Sequence, residues 1–129
     1  MNTYLASAAA LAFLVGLVHS VLGESMIFGR MREGKFIPTN GGRVIGEGHV
    51  RILWASWHVL TVFGWLVAAT LLWLATQPVP PAAREQFCAA VAVAMLVGAV
   101  LVFVGTKARH PGWLGLLGVG ILAWLGRSS

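Results

Sequence analysis

From Ile52 to Thr76 the chain runs without a single Lys, Arg, Asp or Glu, through residues that are mostly Leu, Val, Ala and Trp. No feature constrains the fold more. At about 1.5 Å rise per residue, a helix from about Val50 to Thr76 is longer than the roughly 30 Å hydrocarbon core of a bilayer. Backbone crossing lipid must satisfy its own N–H and C=O groups, so such a run is helical. Three more apolar runs surround it: Thr3 to Gly23, Gln86 to Thr106, and a shorter one from Trp113 to Leu125 that Pro111 opens. Charged residues make up 10% of the chain, against about a quarter in soluble domains, too few to cover a water-facing surface. The expectation is an all-α, four-helix transmembrane bundle forming a single integral domain over 1–129. Its helices are expected at about 3–23, 50–76, 86–106 and 111–126, with a cytoplasmic loop at about 24–49.

The charges then read as signals of membrane insertion. Nine Lys and Arg face four Glu, for a net charge of +5. In a water-soluble chain that balance would raise nucleic acid as a partner, but no basic-aromatic motif accompanies it, and the lipid bilayer is the expected partner. Arg30, Arg32, Lys35, Arg43, Arg51, Lys107 and Arg109 belong to the first and third connections, whereas Arg84 and Arg127 lie on the opposite side. By the positive-inside rule, both termini are expected outside and the basic connections in the cytoplasm of a bacterial inner membrane. No Lys or Arg precedes Arg30, so the first run lacks the positive start of a secretory signal and reads as a retained helix. Met1 and Asn2 read as a minimal tail. Cys88 is the only cysteine, which excludes an intrachain disulfide or a redox dithiol.

Polar residues inside apolar helices are uncommon, and they are often functional. Trp54, His58, Thr61 and Trp65 recur at i, i+4, i+7 and i+11, so one helical face carries them all. The expected topology gathers His19, His58, His49 and His110, with Glu24, Glu33 and Glu47, in or near the cytoplasmic leaflet. Imidazoles on facing helices suit zinc, copper or haem iron, and carboxylates suit iron and manganese. His19 and His58 are the candidate metal pair, with Glu24 or His110 completing a cofactor site and Ser20 or Thr61 supporting it. The bland alternatives are an imidazole hydrogen-bonded between helices for His58 and His19, and capping for His110. For Glu24 the alternative is a helix-end carboxylate paired with Arg30 or Arg51. His19 and Glu24 stand at i and i+5, and share a face only if the helix ends or bulges between them. Gly16, Ser20 and Gly23 form a small-residue stripe. Gly112, Gly115 and Gly118, with Gly120, suggest close approach of the last helix to a neighbour.

Three segments, LVHSVLGE (17–24), RILWASWHVLT (51–61) and RHPGWLGLLGVG (109–120), resemble those of small bacterial inner-membrane proteins of unknown function. In those proteins a His-Ser-x-x-Gly-Glu segment ends the first helix, a Trp-His pair sits in the second, and a His-Pro segment opens the last. The resemblance covers nearly the whole chain. It implies a four-helix inner-membrane protein whose polar residues of interest are His19, Glu24, His58 and His110. Three functional readings follow from the sequence. The first is a small membrane protein holding a metal or haem through His19 and His58 for a redox role. The second is a non-enzymatic accessory or assembly subunit, packing against a membrane partner or another copy. The third is an oligomeric small transporter with a polar substrate or proton site.

Overall fold

The computed structural model describes residues 1–129 and is all-α, with four helices and no strand. Helix α1 spans Thr3–Leu22, α2 Glu47–Thr76, α3 Pro81–Gly105 and α4 Gly112–Gly126. Beyond Leu22 the backbone stays helical, first as a π-helical turn, Gly23–Ile27, then as a 3-10 turn, Phe28–Met31. The stretch without helix before α2 therefore runs from Arg32 to Gly46, where the sequence leads to the expectation of a loop over 24–49. Helical backbone from Thr3 to Met31, together with α2 and α3, gives three stretches long and apolar enough to cross a membrane. Helix α4 is apolar but has 15 residues, about 22 Å, and is shorter than such a span.

Two helix starts differ from the expected limits. Helix α3 begins at Pro81 rather than near Gln86, because a proline in the first turn lacks only an N–H that would have no intrahelical partner there. Helix α2 begins at Glu47, whose carboxylate sits at the positive end of the helix and takes Arg51 one turn on at 2.7 Å.

The chain forms two compact units. One comprises Met1–Val15 and Gly64–Ser129. Its core is built of small and medium side chains: Leu5, Ala8, Ala9 and Ala12 of α1, Ala68, Leu71, Leu74 and Ala75 of α2, Cys88, Val91 and Ala92 of α3, and Val119 and Ala123 of α4. So many alanines bring backbones close, the packing that holds helices together where lipid supplies no hydrophobic drive. Glycines of α4 do the same: a Cβ at Gly115 would lie 2.6 Å from Val15 Cγ2, and one at Gly118 2.9 Å from Leu11 Cδ2. Of the glycines read as an edge for close approach, Gly115 and Gly118 thus meet α1, while a Cβ at Gly120 would lie 3.3 Å from Ala92 O of α3. Asn2 is not a loose tail. Its Oδ1 accepts the Leu5 N–H at 3.1 Å and caps α1, its backbone N–H donates to Ala75 O at 2.9 Å, and its Nδ2 donates to Gly126 O at 2.8 Å.

The other unit is Gly16–Phe63. It holds the end of α1, the two irregular turns, the loop and the first half of α2. Gly23 is buried under Trp57, and the Trp57 indole donates from Nε1 to His19 O at 3.0 Å. The His19 ring stacks on the same indole, centroids 4.2 Å apart and planes 8° from parallel, while Phe28 meets it edge-on at 5.7 Å. The loop is ordered by its own hydrogen bonds. Thr39 and Asn40 N–H donate to Met31 O, the Asn40 amide donates to Glu33, and Asn40 Oδ1 accepts Gly42 N–H at 2.8 Å. Gly42 sits at φ 69°, the left-handed conformation that this turn needs and that glycine adopts without strain. Pro38 and Val50 are fully buried beneath the loop.

Candidate functional site

A hydrogen-bonded chain of polar side chains lies within the unit Gly16–Phe63. Its origin is the period of α2: Trp54, His58 and Thr61 fall on one stripe. From the α1 side, Ser20 comes from the last turn of regular helix and Glu24 from the π-helical turn. That turn matters because it holds one more residue per turn than an α-helix and so re-aims every side chain after it. The helix thus bulges between His19 and Glu24, one of the two courses that their i, i+5 spacing left open.

Glu24 is the hub. Its Oε1 accepts Trp54 Nε1–H at 2.6 Å and lies 2.8 Å from His58 Nε2, and its Oε2 accepts Arg32 Nη2–H. Three donors on one carboxyl is the pattern of an ionised acceptor, which has lone pairs and no proton to give. His58 Nε2 is then the protonated nitrogen, and in a neutral ring Nδ1 is left as an acceptor. Ser20 Oγ stands 3.0 Å from that Nδ1 and supplies the proton. Ser20 in turn lies 2.8 Å from Thr61 Oγ1, whose hydroxyl completes the chain. Thr61 is the one buried polar residue of the protein, 4% exposed, and a buried hydroxyl is stable there because it is bonded. Side chains at the other end remain partly open: Glu24 is 33% and His58 29% exposed.

The structure brings together some of the residues singled out in sequence and separates others. Glu24 and His58 meet directly, and Ser20 and Thr61 join them. His19 belongs to the same unit, but its ring lies flat on Trp57. His110 belongs to the other unit, where its Nδ1 accepts Gly112 N–H at 3.0 Å at the start of α4, a capping arrangement. His49 is exposed. No cluster of three or more His, Cys, Asp or Glu side chains converges in a way that would hold a metal ion. Both ring nitrogens of His58 are committed, one to a carboxylate and one to a hydroxyl.

Two partners of Glu24 were not legible. Neither Arg30 nor Arg51 pairs with it: Arg32 does, and Arg51 is held by Glu47. Trp54, which the sequence places on the same face as His58, also donates to Glu24. The available signal was its i, i+4 relation to His58, which puts any acceptor of one within reach of the other. Comparison of the chain with protein-family models, with curated proteins and with solved structures finds no match.

Proposed function

We propose that this is a small multi-pass protein of a bacterial inner membrane whose working element is a proton-exchanging Glu24–His58 pair, serving proton-linked transport. The observation that carries this reading is the two-sided engagement of His58, with Nε2 on a carboxylate and Nδ1 on a hydroxyl chain. In the resting arrangement the order of donation is Thr61 to Ser20, Ser20 to His58 Nδ1, and His58 Nε2–H to Glu24. A proton delivered to Nδ1 makes an imidazolium that Glu24 stabilises, and the Ser20 hydroxyl turns from donor to acceptor. The proton on Nε2 can then pass to the Glu24 carboxylate when Arg32 releases it. The proton enters along the hydroxyls, water resupplying Thr61, Thr61 resupplying Ser20 and Ser20 giving to Nδ1, and Glu24 releases it to water, so each transfer forms one O–H or N–H bond as another breaks.

Sidedness follows the cation distribution. The cations of the first and third connections favour a cytoplasmic position for both, which leaves the N-terminus outside. A metal or haem role for His19 and His58, with Glu24 or His110 closing the site, is favoured less. It needs His58 to give up one of its two bonds and His19 to turn from Trp57.

Protein reconstituted in potassium-loaded liposomes with an internal pH dye tests the proposal. Valinomycin sets an inside-negative potential, and the dye reports acidification. The wild type is expected to acidify the lumen, with His58→Gln and Glu24→Gln at the protein-free background while retaining wild-type circular dichroism. Equal acidification by all three proteins, or none by the wild type, overturns the reading.

A further inference from the structure

The connection between the first two spans has an unusual surface for an ordered loop. Its hydrogen bonds fix the backbone, and its buried anchors are Pro38 and Val50, yet two of its apolar side chains, Phe36 and Val44, point outward. Phe36 is 76% and Val44 91% exposed. Phe36 is placed firmly, edge-on to Trp54 at 6.0 Å and under the Arg32 guanidinium at 5.5 Å. Val44 sits on the tight turn that Gly41 and Ile45 close.

The charges beside these side chains are mostly positive. Glu24 and Glu47 are paired with Arg32 and Arg51, which leaves Glu33, bonded to the neutral Asn40 amide, against Arg30, Lys35 and Arg43. Arg30 and Arg43 are exposed and form no ion pair with the protein. Two apolar side chains in water beside two unpaired guanidinium groups is an unfavourable surface by itself. It becomes favourable against one medium, a leaflet whose boundary is apolar just below a layer of phosphate. The loop is also tethered at both ends to membrane-length helices, which keeps it at that depth.

We propose that the segment Arg30–Ile45 is an interfacial anchor for anionic phospholipid, with Phe36 and Val44 entering the acyl boundary and Arg30 and Arg43 binding headgroup phosphates. A guanidinium suits that task because its fork of donors matches two phosphate oxygens. The surface borders the proton chain through Phe36, which packs on Trp54 and Arg32, but neither Arg30 nor Arg43 forms an ion pair with Glu24.

Cys88 is the chain's only cysteine and is buried, so a Cys88→Ala background allows a single label. Val44→Cys carrying an environment-sensitive nitrobenzoxadiazole dye is placed in nanodiscs of phosphatidylcholine, with or without phosphatidylglycerol. Expected is a blue shift that requires phosphatidylglycerol and is reversed near 1 M salt, where screening acts within about 3 Å. Arg30→Gln and Arg43→Gln each lower the bound fraction about fivefold at limiting anionic lipid, the loss expected for one cation at such a surface. Emission that is the same in both lipids, whether red or blue, overturns the proposal, as does a shift that survives both substitutions. A Phe36→Cys label gives an independent reading, and circular dichroism confirms that each variant is folded.

Discussion

Gly23 is the position where the structure makes its sharpest demand. Its φ is not in the left-handed region, so alanine is allowed by the backbone, and in helical backbone that change by itself stabilises by about 0.5–1 kcal/mol. The obstacle is Trp57. An added Cβ would stand 2.6 Å from Cε2 and 2.8 Å from Cδ1 of the indole, inside van der Waals contact. The ring cannot step aside freely, because it is fixed by the bond to His19 O, the stack on His19 and the edge contact with Phe28. Displacing it forfeits a hydrogen bond of about 1 kcal/mol and part of an aromatic contact of about 0.5–1.5 kcal/mol. An overpacking penalty of about 2–3 kcal/mol is the corresponding whole. Set against the helix gain, Gly23→Ala is expected to destabilise by about 1–2 kcal/mol. In a Trp57→Ala background the obstacle is gone and the same substitution should stabilise by about 0.5–1 kcal/mol. Unfolding in mixed micelles by titration with sodium dodecyl sulfate, followed by circular dichroism, gives all four corners of the cycle. A Gly23→Ala protein as stable as wild type, or the same cost in both backgrounds, would refute the reasoning.

Other substitutions test separate parts of the structure. Ala108 is held at φ 61°, so Ala108→Gly should raise stability by about 0.5–1 kcal/mol in the same titration; a loss would mean the turn is not strained. Asn2→Ala removes the cap of α1 and the bond to Gly126, and should cost about 1–2 kcal/mol, whereas Asn2→Asp keeps the cap and should cost less. Thr61→Val keeps the volume but takes one hydroxyl from the chain; it should cost about 1 kcal/mol and slow proton uptake in liposomes without abolishing it. Wild-type flux in Thr61→Val would remove Thr61 from the relay.

Much of the layout was legible because lipid allows few solutions. An apolar run of sufficient length has to be a helix, and three such runs are present. The stripe Trp54–His58–Thr61 also followed from the helical period alone. What periodicity cannot supply is which face meets which. Ser20 and His58 are 38 residues apart, and nothing local in either segment names the other. The π-helical turn was a condition that the spacing of His19 and Glu24 posed and did not answer. Nothing local marks Arg32 as the partner of Glu24, because it lies eight residues further on, across two changes of helical geometry. Pro81 marked a break in sequence, yet the physics of a first turn makes it a beginning. Asn2 was invisible for a different reason: its meaning lies in contacts 73 and 124 residues away.

The bond from Asn2 to Gly126 also sets an order of events. Residues leave the ribosome from the first to the last, so α1 is made and can enter the bilayer while its capping residue lacks the partners seen here. Ala75 arrives with the end of α2, and Gly126 only when synthesis has reached the last turn of α4. The cap of α1 thus gains its second partner only after α4 is made. A nascent chain that has not yet made α4 has Asn2 bonded to Ala75 and lacks the bond to Gly126. The amide of Asn2 thus ties the first turn of α1 to the last turn of α4.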